Sequence, residues 1–145
     1  MDREVEEFEI GLESALLLLL EPGTPNRLGR ALAKEIEREG GELAIYCFLP
    51  DRLIGVAVGG NLRAAVDNFC RETRFELERR EPRAAWTDIK ISSRENLDAA
   101  VGNIMLRPVT EKLVRRPGIY PHVGSGMFQP AELVASANRR TEIPA

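Results

Sequence analysis

The spacing of apolar and polar residues changes along this chain of 145 residues, and each change marks an element. Ala15–Glu21 is an almost unbroken leucine run that predicts a first strand, ended by Pro22-Gly23, although a Leu-rich run of this length suits a helix as well. Thr24 offers an N-cap with Pro25 at the first helical position. Leu28, Ala31, Leu32 and Ile36 then share one helical face until Gly40-Gly41 closes the segment. Glu42–Leu49 is apolar at nearly every position, the mark of a strand buried on both faces or in mid-sheet. Pro50-Asp51 is turn chemistry, and Leu53–Val58 folds back as the hairpin partner.

After Gly59-Gly60, Asn61 caps a helix whose buried stripe is Leu62, Val66, Phe69, Thr73 and Leu77. Residues 79–84 form a charged loop, and Trp86–Ile91 alternates Ile89 and Ile91 with Asp88 and Lys90, a strand with one wet face. Ser92 and Glu95 have capping-box spacing before a third helix carrying Leu97, Ala100, Val101, Ile104 and Met105, which Pro108 ends or kinks. The order β-α-β-β-α-β-α predicts an α+β domain of the ferredoxin-like, split β-α-β kind, an antiparallel sheet with helices on one face. The expected organisation is an acidic leader over residues 1–14, one domain over 15–137 and a loosely ordered tail over 138–145.

Composition changes this picture little. Hydrophobic residues make up 43% of the chain and charged ones 30%, ordinary for a globular domain. The longest apolar run is too short for a bilayer and no basic n-region precedes it, which predicts a cytoplasmic protein. The charge is uneven. Residues 1–21 hold seven acids and one base, so the chain's formal −3 leaves the remainder mildly basic, with 19 bases against 16 acids. That permits contact with phosphates but is not the footprint of a strong nucleic-acid binder. Cys47 and Cys70 read as buried thiols, no C-x-x-C occurs, and with His122 the sole histidine a zinc site of His and Cys is not supported.

Three blocks carry a family resemblance: Tyr46–Val58; Ile104-Met105-Leu106-Arg107-Pro108-Val109 followed by Leu113-Val114; and Arg116-Pro117-Gly118-Ile119-Tyr120-Pro121. In order and spacing they resemble the single-tyrosine HUH transposases, in particular the REP-associated tyrosine transposases. The resemblance implies a nuclease-type domain in which two histidines hold magnesium or manganese against the scissile phosphate while a tyrosine attacks phosphorus. At the histidine positions this chain has Arg52 and Ile54, at the tyrosine position Asn103, and at the additional ligand position four residues on, Arg107. With all four changed, metal-dependent cleavage is not expected and no cofactor is assigned. The expected function is a catalytically inactive, transposase-like DNA-binding domain for single-stranded or hairpin DNA. The alternative is a protein-interaction or dimerisation module without a nucleic-acid role, and a homodimer fits either.

Each candidate side chain has a bland reading beside the functional one. Arg52 and Arg107 either replace the metal's charge with guanidinium donors for a phosphate, or sit in solvent or pair with Asp51 or Glu111. Lys112, Arg115 and Arg116 are a basic cluster or a solvated face. Trp86 either stacks on an unpaired base or packs in the core. Arg63, Arg71 and Arg74, interleaved with acids, read as an ion-paired surface. Tyr46 and Tyr120 read as packing residues, and His122 as a surface or packed one.

Overall fold

The computed structural model describes residues 3–142. Among them are five strands, β1 (Val5–Glu13), β2 (Glu42–Leu49), β3 (Arg52–Val58), β4 (Ala85–Arg94) and β5 (Val123–Gly124). Four helices accompany them, α1 (Thr24–Arg38), α2 (Leu62–Arg80), α3 (Leu97–Thr110) and α4 (Pro130–Glu142). The sheet runs β4-β1-β3-β2-β5 with every pair antiparallel. Its first four strands keep the predicted split β-α-β order, so the α+β, ferredoxin-like class holds.

The hairpin β2–β3 is the centre of the sheet. Leu49 pairs with Arg52 across the Pro50-Asp51 turn, and the apolar positions of both strands are buried. On one face Phe8, Ile10, Leu43, Phe48, Leu53 and Ala57 pack under α1 and α2, which contribute Leu28, Leu32, Ile36, Val66, Phe69 and Leu77. On the other, Ile45, Cys47, Leu49, Ile54, Val56 and Val58 pack under α3 and α4 through Val101, Ile104, Met105, Leu133 and Ala137. Helices therefore cover both faces, not one. Alternate residues of a strand point to opposite faces, so a hairpin apolar throughout needs two covers.

Other expectations also move. The first strand is Val5–Glu13, where Phe8, Ile10 and Leu12 alternate with Glu7, Glu9 and Glu13, and it lies between β3 and β4. The segment expected to be a leader is thus part of the sheet. The leucine run instead makes a 3-10 turn at Leu18–Leu20, with Leu18 and Leu19 buried and Leu16 and Leu17 exposed. Strand β4 runs on to Arg94, so Ser92 caps nothing; Asn96 caps α3, its side chain accepting from the Ala99 N–H at 2.9 Å. The expected tail is helical through Glu142, continuing α4. The cap at Asn61 and the α2 stripe are as predicted.

Two features fix the packing, one on each face. Gly55 stands where a Cβ would run into the Ile45 carbonyl and the Phe8 ring, so only glycine lets β2 and β1 flank β3 here. Helices α3 and α4 are joined by Asp98, which accepts from Ser136 Oγ at 2.7 Å and from Arg139 Nε at 3.0 Å and Nη2 at 2.5 Å. The bonds from Arg139 and Ser136 hold the Asp98 carboxyl down at about 2, against an ordinary 3.8. A carboxyl held low in the fold stabilises it fully above its unfolded value and loses that contribution as pH falls toward the folded one. Acid titration followed by thermal unfolding should therefore show a loss of Tm between about pH 4 and pH 2 that is smaller in Asp98→Asn.

Candidate nucleic-acid interface

The positions named by the resemblance lie at the end of the sheet that carries the Pro50-Asp51 turn. Arg52 opens β3, and Arg107 projects from the last turns of α3. The fold brings the two together on carboxylates of this chain. Arg52 Nε lies 3.3 Å from Glu9 Oε1, its Nη1 lies 2.6 Å from Asp51 Oδ1, and its Nη2 bonds Glu111 Oε2. Arg107 Nη1 reaches the same Glu9 Oε1 at 3.4 Å and Glu111 Oε2 at 3.8 Å, and Lys90 Nζ stands 3.9 Å from Glu9 Oε2. Three cations and three carboxylates thus link β1, β3, β4 and α3. Burial opposes the charge on Arg52, but its bond to Asp51 and the nearby Glu111 and Glu9 charges outweigh that and raise its pKa.

This cluster does not fit a divalent metal. A guanidinium stands at one expected ligand position, and Ile54 at the other is 1% exposed within the second-face core. Among the described residues no group of three or more His, Cys, Asp or Glu side chains is placed to hold a metal ion. Asn103 turns to α4, its Oδ1 accepting from Arg140 Nε at 3.3 Å. The nearest phenol, Tyr120, donates to the Phe48 carbonyl at 2.5 Å, and burial, with Cys47 and Glu111 near it, raises its pKa, the reverse of an activated nucleophile. Burial pushes the Cys47 thiol up to about 12, with Glu111 adding to the shift and Arg107 and Arg52 opposing it.

A β-bulge widens the site on the β4 side. Glu9 faces Lys90 but Gly11 faces Thr87, and the extra length is taken up with Asp88 at φ 50. The resulting hollow, about 380 Å³, is lined by Glu9, Asp51, Arg52, Asp88 and Lys90 among others. Its rim is more acidic than basic, with Glu9, Glu13, Asp51 and Asp88 against Arg52 and Lys90.

The remaining cations behave differently. Helix α3 ends in a Schellman turn: the Lys112 N–H donates to the Val109 carbonyl at 3.0 Å and the Leu113 N–H to Pro108 at 2.8 Å, with Lys112 left-handed at φ 62. The chain then leaves the helix with Lys112, Arg115 and Arg116 exposed, and none of their side chains has an ion-pair or hydrogen-bond partner among the described residues. Most other arginines are paired, including Arg63 with Asp67 and Arg74 with Glu78; Arg71 bonds Asn68. Trp86 is a packing residue: its ring lies 5.5 Å from that of Phe69, and its Nε1–H donates to Thr73 Oγ1 at 2.9 Å. Tyr46 packs at the same first-face core, and His122, its pKa lowered by burial, lies edge-on to Tyr120 at 5.3 Å.

Compared with known proteins, the chain superposes on a solved REP-associated tyrosine transposase bound to a REP hairpin, with a TM-score of 0.59 over 85% of this chain and 77% of that one. Sequence identity over that match is 15%. The chain has a transposase-like fold. A de novo designed protein with ferredoxin fold matches more loosely, at a TM-score of 0.40, 13% identity, and 64% of this chain against 87% of that one. No family model matches the sequence, and no curated protein does. Within the described residues of this transposase-like fold, no helix is long and apolar enough to cross a membrane.

The residue missed in the sequence is Glu9, hidden in the supposed leader. Its signal was the period-two alternation from Glu7 to Glu13, outweighed by the stronger leucine run that follows. The cluster's cohesion is measurable by denaturant unfolding. Arg52→Ala should cost about 1 kcal/mol, and a double-mutant cycle with Glu111→Gln should return a favourable coupling of about 0.5–1 kcal/mol. Lys112→Gly should raise stability by a similar ~1 kcal/mol, since glycine relieves the left-handed turn.

Proposed function

We propose that this transposase-like domain binds single-stranded or hairpin DNA without cleaving it. The observation that carries the reading is the basic stretch Lys112, Arg115 and Arg116, whose side chains have no partner among the described residues, beside the position where the family resemblance puts metal and phosphate. The fold likeness to a transposase solved on a DNA hairpin supports it. Arg52 and Arg107 act behind this surface. Their donors are directed at Glu9, Asp51 and Glu111, so they hold β3 and α3 together and leave phosphate contact mainly to the exposed cations. Cleavage is not part of the function, because a guanidinium, a buried isoleucine, an asparagine and a second guanidinium replace the ligands and the nucleophile. The same reading takes the protein to be cytoplasmic and to need no cofactor.

A second reading has one observation in its favour. Leu113 and Ile119 are 41% and 49% exposed within the same stretch, which would suit a protein partner or a second copy of this chain. Solution mass across a concentration series tests the homodimer.

Three neutralised phosphates predict that the log of the binding constant for a DNA hairpin falls with log salt with a slope of about −2 to −3. Lys112→Ala/Arg115→Ala/Arg116→Ala should weaken binding about tenfold or more at low salt and flatten that slope, while Arg52→Ala leaves it unchanged. Absence of binding at low salt would sink the DNA reading. A covalent protein–DNA adduct formed with magnesium or manganese would overturn the inactive one.

A further inference from the structure

Directly behind the basic stretch, where the chain continues through Pro117-Gly118, a cavity of about 340 Å³ opens between α3, α4 and β5. We propose that it receives one unpaired nucleobase of the bound DNA, an inference that rests on the DNA-binding reading above.

The lining is neutral throughout: Met105, Tyr120, Ser125, Phe128, Gln129 and Leu133 are its main side chains, and no charged residue joins them. A phosphate therefore belongs outside and an uncharged, largely apolar group inside. Arg115 and Arg116 immediately precede Pro117-Gly118, which form part of the wall, so fixed positive charge and a neutral slot lie side by side. A nucleotide has that same division between its anionic backbone and its flat base. The volume is at the small end for organic ligands, suited to a single base and too small for a stretch of chain.

Two rings offer the stacking surface that sequence-tolerant base binding requires. The Tyr120 ring and the backbone that carries Phe128 are held in place before any ligand arrives. Tyr120 is anchored by its hydroxyl to the Phe48 carbonyl at 2.5 Å. The Phe128 N–H donates to Ser125 Oγ at 2.9 Å, and that hydroxyl in turn donates to the Ala44 carbonyl at 2.5 Å. At the mouth, the exposed Gln129 side-chain amide has no hydrogen-bond partner among the described residues. An amide both donates and accepts, so it can read the hydrogen-bonding edge of a base.

The test is fluorescence anisotropy on a DNA hairpin carrying a short single-stranded thymidine tail, compared with the same hairpin whose tail is abasic. The thymidine tail should bind about tenfold more tightly, with the same salt slope. Gln129→Ala should reduce that preference and Phe128→Ala should abolish it, whereas Arg115→Ala/Arg116→Ala should weaken both tails alike. Gln129 is exposed, so its variant leaves folding intact even if Phe128→Ala does not. Equal affinity for thymidine and abasic tails would overturn the pocket and leave the DNA-binding reading standing. Failure to bind either hairpin would overturn both.

Discussion

The constraint on which the structure depends is that β2 and β3 are apolar on both faces. A hairpin of this kind cannot leave either side to water, and each fully buried Leu, Ile, Val or Phe side chain gains about 1.5–3 kcal/mol from being covered. Two helical layers follow from it. Helices α1 and α2 close the Phe8–Phe48–Leu53 face, and α3 and α4 close the Cys47–Ile54–Val56 face. The second layer also holds Arg107 over Arg52, because α3 must lie on β2 and β3 to cover them.

Electrostatics at that junction follows from burial. Arg52 and Arg107 are about a quarter exposed, and a guanidinium so placed needs acceptors. Glu9 and Glu111 supply them from opposite sides of the cluster, one from the strand beside β3 and one from the end of α3. This chain holds fixed cations between its own carboxylates at this corner. The charge within the cluster is balanced, and further along the chain Lys112, Arg115 and Arg116 carry positive charge with no ion-pair partner among the described residues. The corner where β1, β3 and α3 meet is a structural joint, and the exposed cations Lys112, Arg115 and Arg116 begin where α3 stops.

The transposase-like fold was legible in the chain because its signals are local. Asn61 caps its helix through its own side chain, the α2 stripe has a 3.6-residue period, and Pro50-Asp51 turns a strand pair that no other reading suits. The positions Arg52, Ile54, Asn103 and Arg107 were singled out only by the family resemblance of the three sequence blocks. The misplacements came from competing local patterns. The leucine run outweighed the acid-rich alternation of Val5–Glu13, and the Ser92–Glu95 pair imitated a cap although the strand pairing with β1 carries β4 to Arg94.

What the sequence determined by itself is therefore the central run of elements from α1 to α3 and their order, and the residue types that stand at Arg52, Ile54, Asn103 and Arg107. Only the tertiary structure decided which helix covers which face, and that Glu9 reaches Arg52 across 43 residues and Arg107 across 98. It alone left the side chains of Lys112, Arg115 and Arg116 without partners among the described residues and opened a neutral cavity beside Pro117-Gly118. The reason is physical: capping, periodicity and turn chemistry act within a few residues, whereas ion pairing and cavity shape depend on which distant segments the burial of the hairpin forces together.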